Sequence, residues 1–272
     1  MKRRIIFFSI ILFFFLTTSA FCLSFHIAPL SFKIKAEPGE VVNRTFTLSL
    51  NEGEGETYFR SFIEDWWRSE DQRNTFYRPA GTLKSSCGLW CTVNPIEEAV
   101  SGGETLKVRL TISVPPDARP GGYWTALTVN ELPSPVKPEG VAISFLASVS
   151  IGILVEVPPV KREARIVGMK ADEDFVWVKV KNLGNTMLRV TGKVNFLAPG
   201  EDKVLFTSDL VASASLPGEA DPLVGGPVNP LDFQAPVPPD LPSGTYLVQA
   251  ILDTDLEYYI GAEKKLIIKG KN

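Results

Sequence analysis

Apolar and polar residues alternate with period two along most of this chain. Leu106, Val108, Leu110, Ile112 and Val114 alternate with Thr105, Lys107, Arg109, Thr111 and Ser113. Such spacing marks a strand with one buried face, because successive side chains leave a pleated backbone on opposite sides. A first strand is predicted over 26–36, ended by Glu37-Pro38-Gly39-Glu40. A second covers 42–50, with Phe46, Leu48 and Leu50 opposed to Thr45, Thr47 and Ser49. Further strands are predicted at 58–67, 105–114, 123–131, 141–157, 175–181, 188–196, 203–208, 231–237, 246–253 and 262–269. Turn residues such as Asn182-Leu183-Gly184-Asn185 separate them, and no amphipathic helix longer than a turn or two is read. The pattern predicts an all-β chain with turns at the spacing of a sandwich.

The longest alternation lies in 141–157. Val141, Ile143, Phe145, Ala147, Val149, Ile151, Ile153, Val155 and Val157 form one row, and Ser144, Ser148, Ser150, Gly152 and Glu156 lie in the other. A membrane helix has no such alternation.

One motif occurs twice. Residues 114–123 read VPPDARPGGY and residues 237–246 read VPPDLPSGTY, an offset of 123 residues (237 minus 114). Each copy follows an alternating segment and precedes another strand. A repeat of this length implies two copies of one domain rather than a solenoid, whose periods are shorter. Strand, proline-rich crossover, glycine, tyrosine and strand is the order of a tyrosine corner in an immunoglobulin-like sandwich. Tyr123 and Tyr246 are therefore expected at equivalent corners. The predicted organisation is a segment 1–22, a sandwich over 23–157, a linker 158–163 stiffened by Pro158-Pro159, and a second sandwich over 164–272.

The N-terminus reads as an export signal. Lys2, Arg3 and Arg4 precede an apolar run from Ile5 to Leu16, with small residues at Thr18-Ser19-Ala20. Removal at about residue 22 leaves no expected membrane span and places the protein in the periplasm or outside the cell. In that oxidising compartment Cys87 and Cys91, in Cys-Gly-Leu-Trp-Cys, are expected to form a local disulfide. Zinc would need two further ligands, and no metal or cofactor is expected. The net charge of −3 gives no electrostatic reason to expect nucleic acid.

Catalytic signatures are missing from the sequence. His26 is the single histidine, and no Gly-x-Ser-x-Gly, phosphate loop or His-Glu-x-x-His occurs. Asp253, Asp255 and Glu257 read as a solvated strand-end turn, with calcium ligation as the alternative. The expectation is a protein that binds rather than catalyses.

Val114-Pro115-Pro116-Asp117, the run Tyr123 to Pro133 and the alternating strand from Val141 resemble the first domain of the immunoglobulin-like periplasmic pilus chaperones. Asn182-Leu183-Gly184-Asn185, Leu216-Pro217-Gly218 and Gly244-Thr245-Tyr246 resemble adhesion-related β-sandwich modules of bacterial surface proteins. The first resemblance implies two tandem sandwiches and a partner that is an exported subunit or envelope component. It also implies a strand lent to that partner by Val141, Ile143, Phe145, Ala147 and Val149. Those chaperones hold a subunit's terminal carboxylate with an Arg in the first strand and a Lys in the last strand of domain one. Here the first strand offers Lys33 and Lys35 and no Arg, and 141–155 carries no charge. The alternative is a structural envelope module that binds through its sandwich loops.

Overall fold

The computed structural model describes residues 25–133, 146–198, 200, 203–211, 213–215 and 226–269. The signal segment 1–22 and Val141, Ile143 and Phe145 lie outside the described residues.

Among the described residues the first sandwich holds ten strands: β1 (Phe25–Ala28), β2 (Ser31–Lys35), β3 (Val41–Leu50), β4 (Thr57–Arg68), β5 (Thr75–Pro79), β6 (Cys91–Asn94), β7 (Glu97–Val100), β8 (Thr105–Ser113), β9 (Gly121–Glu131) and β10 (Ser148–Val157). One sheet runs β1-β3-β8-β6 and the other β2-β10-β9-β4-β5, with β7 also on β4. Their inner faces bury the residues that the alternation selects, among them Phe46, Leu48, Leu110, Ile112, Ile151 and Val155. Each such side chain contributes about 1.5–3 kcal/mol by leaving water.

The second sandwich comprises β11 (Ala164–Ala171), β12 (Phe175–Asn182), β13 (Leu188–Leu197), β14 (Val204–Asp209), β15 (Ser213–Ser215), β16 (Leu231–Pro236), β17 (Gly244–Asp253) and β18 (Ile260–Ile268). Its sheets run β11-β12-β16 and β14-β13-β17-β18, with β15 on β13. Val178, Val180, Val194, Phe196, Phe233 and Val248 fill its core. The repeat is structural: β9 opens at Gly121 and β17 at Gly244, 123 residues later (244 minus 121). The fold is thus all-β, two tandem sandwiches.

Some elements differ from the sequence expectation. The single strand expected over 26–36 is two strands on different sheets, β1 on β3 and β2 parallel to β10. Pro29 lies between them and has no N–H to give a ladder, so the chain changes sheet there. Residues 68–92, where no strand is predicted, hold β5, a 3-10 turn at Gly88–Trp90 and the start of β6. β7, β11 and β15 were not predicted. β5 is exposed throughout and so carries no burial period to read.

Candidate functional site

β10 lies between β9 and β2 but is not covered equally by both. It pairs antiparallel with β9 over Ser148–Val157. The parallel pairing with β2 runs only from Gly152↔Ser31 to Glu156↔Lys35. Its start is marked by the Gly152 N–H donating to the Leu30 oxygen at 3.1 Å. Along Ser148 to Ile151 the edge opposite β9 has no strand on it among the described residues. Burial changes at the same place. Ile151, Ile153, Val155 and Val157 belong to the first core, whereas Val149 and Ala147 are half-buried. The apolar row is the sandwich's own core from Ile151 onward and leaves it above that point.

The even-numbered side chains of β10 stand on the outer face of the same sheet. Ser148 Oγ bonds Asn130 Oδ1 at 2.6 Å, and the Ser150 and Thr128 hydroxyls lie 2.9 Å apart. These groups, with Phe62, Glu64 and Tyr77, line an open cavity of about 430 Å³.

Further down that face a cleft of about 480 Å³ opens between the sandwiches. Phe32, Trp66, Leu154 and Met187 give it apolar walls, and Lys33, Arg189 and Asp255 supply its charges. Lys33 Nζ is 4.0 Å from Asp255 Oδ2, with the side chains 55% and 38% exposed, so the pair is loose and screened. Asp255 is held instead by the Arg189 backbone N–H at 3.1 Å. Two cations and one carboxylate leave a net positive cleft, suited to an anionic group. Of the two lysines singled out in the sequence, Lys33 lines this cleft. Lys35 is exposed one pleat further on, opposite Glu156, and is not among the lining residues. Arg189 was not found from the sequence, because it comes from the other sandwich and no local pattern links it to β2.

The Asp253 carboxylate serves its own turn. Asp253 Oδ1 accepts the Asp255 N–H at 3.1 Å, and Asp255 adopts the left-handed region at φ 57°. No group of acidic, Cys or His side chains able to hold a metal occurs among the described residues.

Both motif tyrosines donate to a carbonyl four residues back. Tyr123 reaches the Arg119 oxygen at 3.0 Å and Tyr246 the Pro242 oxygen at 2.8 Å. Cys87 and Cys91 are both buried and both thiols, in contrast to the disulfide expected for an exported chain. Across the single 3-10 turn that separates them, the Cys91 thiol donates to the Cys87 carbonyl oxygen at 3.3 Å. Burial pushes the Cys87 thiol well up, and the neighbouring Cys91 and the charge of Asp65 push it further. Asp65 is itself fully buried. It holds the loop in place by accepting from the Leu83 N–H at 2.8 Å and from the Ser86 hydroxyl.

No family model and no curated protein matches this chain. Among solved structures it is similar to the E. coli chaperone DraB, at 15% identity over 90% of this chain and 97% of that one, with a TM-score of 0.45. It is also similar to the class 5 fimbriae chaperone CfaA, at 12% identity over 89% and 99% of the two chains, TM-score 0.47. A chain from the Salmonella enterica complex of the SafA pilin with the SafB chaperone gives 12% identity over 90% and 99%, TM-score 0.48. These likenesses are distant, at 12–15% identity and TM-scores of 0.45–0.48.

Proposed function

We propose that this protein is an exported, non-catalytic chaperone or adaptor for assembly of an envelope or pilus-like surface structure, which captures a protein subunit by lending it a strand. One observation carries the reading. β2 covers β10 only from Gly152 downward, and the apolar row leaves the core at the same level. A strand with unpaired backbone groups and alternating apolar side chains can complete another protein's sheet: the backbone supplies affinity and the side chains selectivity. Ala147 and Val149 begin that row, and Val141, Ile143 and Phe145 continue it in sequence. Lys33 is the anchor for a carboxylate at the subunit's chain end, with Arg189 facing it across the cleft.

Co-purification of the full chain from its native envelope tests the proposal. The expected result is a soluble, stoichiometric complex with one exported subunit. Recovery of the protein only within an insoluble appendage contradicts it and favours a structural module that binds through its loops. That second reading has its own support in Tyr258 and Tyr259, which are 60% and 72% exposed in the turn between β17 and β18. Exposed aromatics on a rigid scaffold are common contact residues.

A further inference from the structure

We propose that the turn over residues 69–74, between β4 and β5, is a salt-releasable latch that closes the first sandwich onto the second and sets the width of the cleft between them. The turn leaves the first sandwich and docks on the sheet β11-β12-β16. The Asp232 N–H on β16 donates to the Glu70 oxygen at 3.0 Å, and Gln72 Nε2 donates to the Asp232 oxygen at 2.9 Å. Arg68 Nη1 donates to Ser213 Oγ on β15 at 2.8 Å. Lys179 on β12 pairs with the Glu70 carboxylate and lies 3.5 Å from Asp232 Oδ1. The Arg73 guanidinium stands 5.5 Å from the centre of the Trp177 ring.

The shape that makes these contacts is built within the turn itself. Asp71 Oδ1 accepts from Ser69 Oγ at 2.6 Å and from the Arg73 N–H at 3.2 Å. The Ser69 N–H donates to the Asn74 oxygen at 3.0 Å, and Gln72 takes the left-handed conformation at φ 59°. Glu70, Gln72 and Arg73 are thereby held ready to meet the second sandwich.

The chemistry of the contact is that of a latch rather than a weld. It consists of hydrogen bonds, ion pairs and one ring face, and none of residues 69–74 belongs to an apolar cluster among the described residues, the nearby packing of Met187 on Trp67, Trp124 and Leu154 lying outside the turn. The Glu70 and Lys179 side chains are 51% and 33% exposed, within reach of counterions. Arg68 Nε and Gln72 Oε1 are buried without a hydrogen-bond partner among the described residues. Docking leaves both atoms unsatisfied, whereas undocking returns them to water, so the two states lie closer in free energy. Domains joined by small polar contacts move relative to one another unless something else holds them. What remains on release is the linker side. There the Gly122 N–H donates to the Asn185 oxygen at 2.7 Å, and the Glu156 carboxylate holds Arg162 and Thr186. That side acts as the hinge. Because β4 carries Trp66 into the cleft two residues before Arg68, opening the latch separates Trp66 and Lys33 from Arg189 and Asp255.

Distance measurement between spin labels at Thr45→Cys and Lys265→Cys, both exposed positions and one on each sandwich, tests this in the full chain. The native Cys87 and Cys91 are buried and stay unlabelled, and Cys22 is replaced by Ser. In low salt a single narrow distance is expected. In about 1 M salt, where the Debye length falls to about 3 Å, a broader distribution with longer distances is expected. Glu70→Lys, which sets two cations against each other, should broaden it already in low salt. Gln72→Ala with Arg73→Ala should do the same, and circular dichroism should stay unchanged because these side chains lie outside both cores. The same narrow distance in wild type at both salts overturns the proposal, as does a broad distribution in wild type at low salt.

Discussion

Tyr123 and Tyr246 make the same bond with the same reach, from a phenol to the carbonyl four residues back. Tyr→Phe at either site should lower stability by about 1–2 kcal/mol, read as a lower denaturation midpoint. Tyr246, the more buried, should show the larger loss. The thiols give a second check. In the reduced protein the Cys87 thiolate is disfavoured first by burial, so alkylation should wait for unfolding, since the thiolate is the reactive form. The raised value means the folded state holds this proton more tightly than the unfolded chain does. Its contribution to stability is therefore intact below the ordinary thiol value of 9.0 and falls as pH rises above it. Denaturation midpoints measured across that window should decline, and less so in Cys87→Ala. The tyrosines were legible in the sequence because a corner is a local motif repeated in register. Arg189 was not, because its place opposite Lys33 depends on how two sandwiches meet.

The strands that alternate over eight or more residues, β3, β8, β10 and β17 among them, were legible because burial on one face imposes period two. β5, β7 and β15 were not, and neither was β11, whose register shifts between Ile166 and Gly168. β5 is exposed along its length, and β7 and β15 are a few residues each, so packing selects nothing periodic in them. The candidate edge was half legible. The row at odd positions was visible, but where it stops being core depends on how far β2 extends, and Pro29 sets that. Gly152 sits at this boundary and lines the cleft, and a Cβ built on it meets nothing within 4 Å. Gly152→Leu should keep the unfolding free energy within about 0.5 kcal/mol of wild type. It should weaken subunit capture by filling the cleft. Capture at wild-type strength would mean that the partner does not enter there.

The linker side of the two sandwiches meets closely enough to exclude a methyl group. A Cβ on Gly122 would lie 2.4 Å from Thr186 Oγ1, and one on Gly184 would lie 2.2 Å from the Lys161 oxygen. Gly122→Ala should cost about 1–3 kcal/mol as the sandwiches are pushed apart. Calorimetry should then show the single transition of the coupled domains separating into two. An unchanged single transition would mean that the sandwiches are not coupled through this contact. Tandem architecture was legible from the 123-residue offset, whereas the contacts between the copies, being unlike in the two, left no trace in the repeat.

The central claim, that the upper edge of β10 is lent to a partner, is tested most directly by Val149→Asp. Val149 is half-buried, above the point where the row enters the core. A carboxylate there would enter an apolar partner groove at a cost of several kcal/mol if fully buried. The account predicts a variant that stays folded by circular dichroism and no longer co-purifies with its subunit. A folded variant that still holds its subunit would contradict it, and so would a variant that unfolds on its own, since the row would then be core along its whole length.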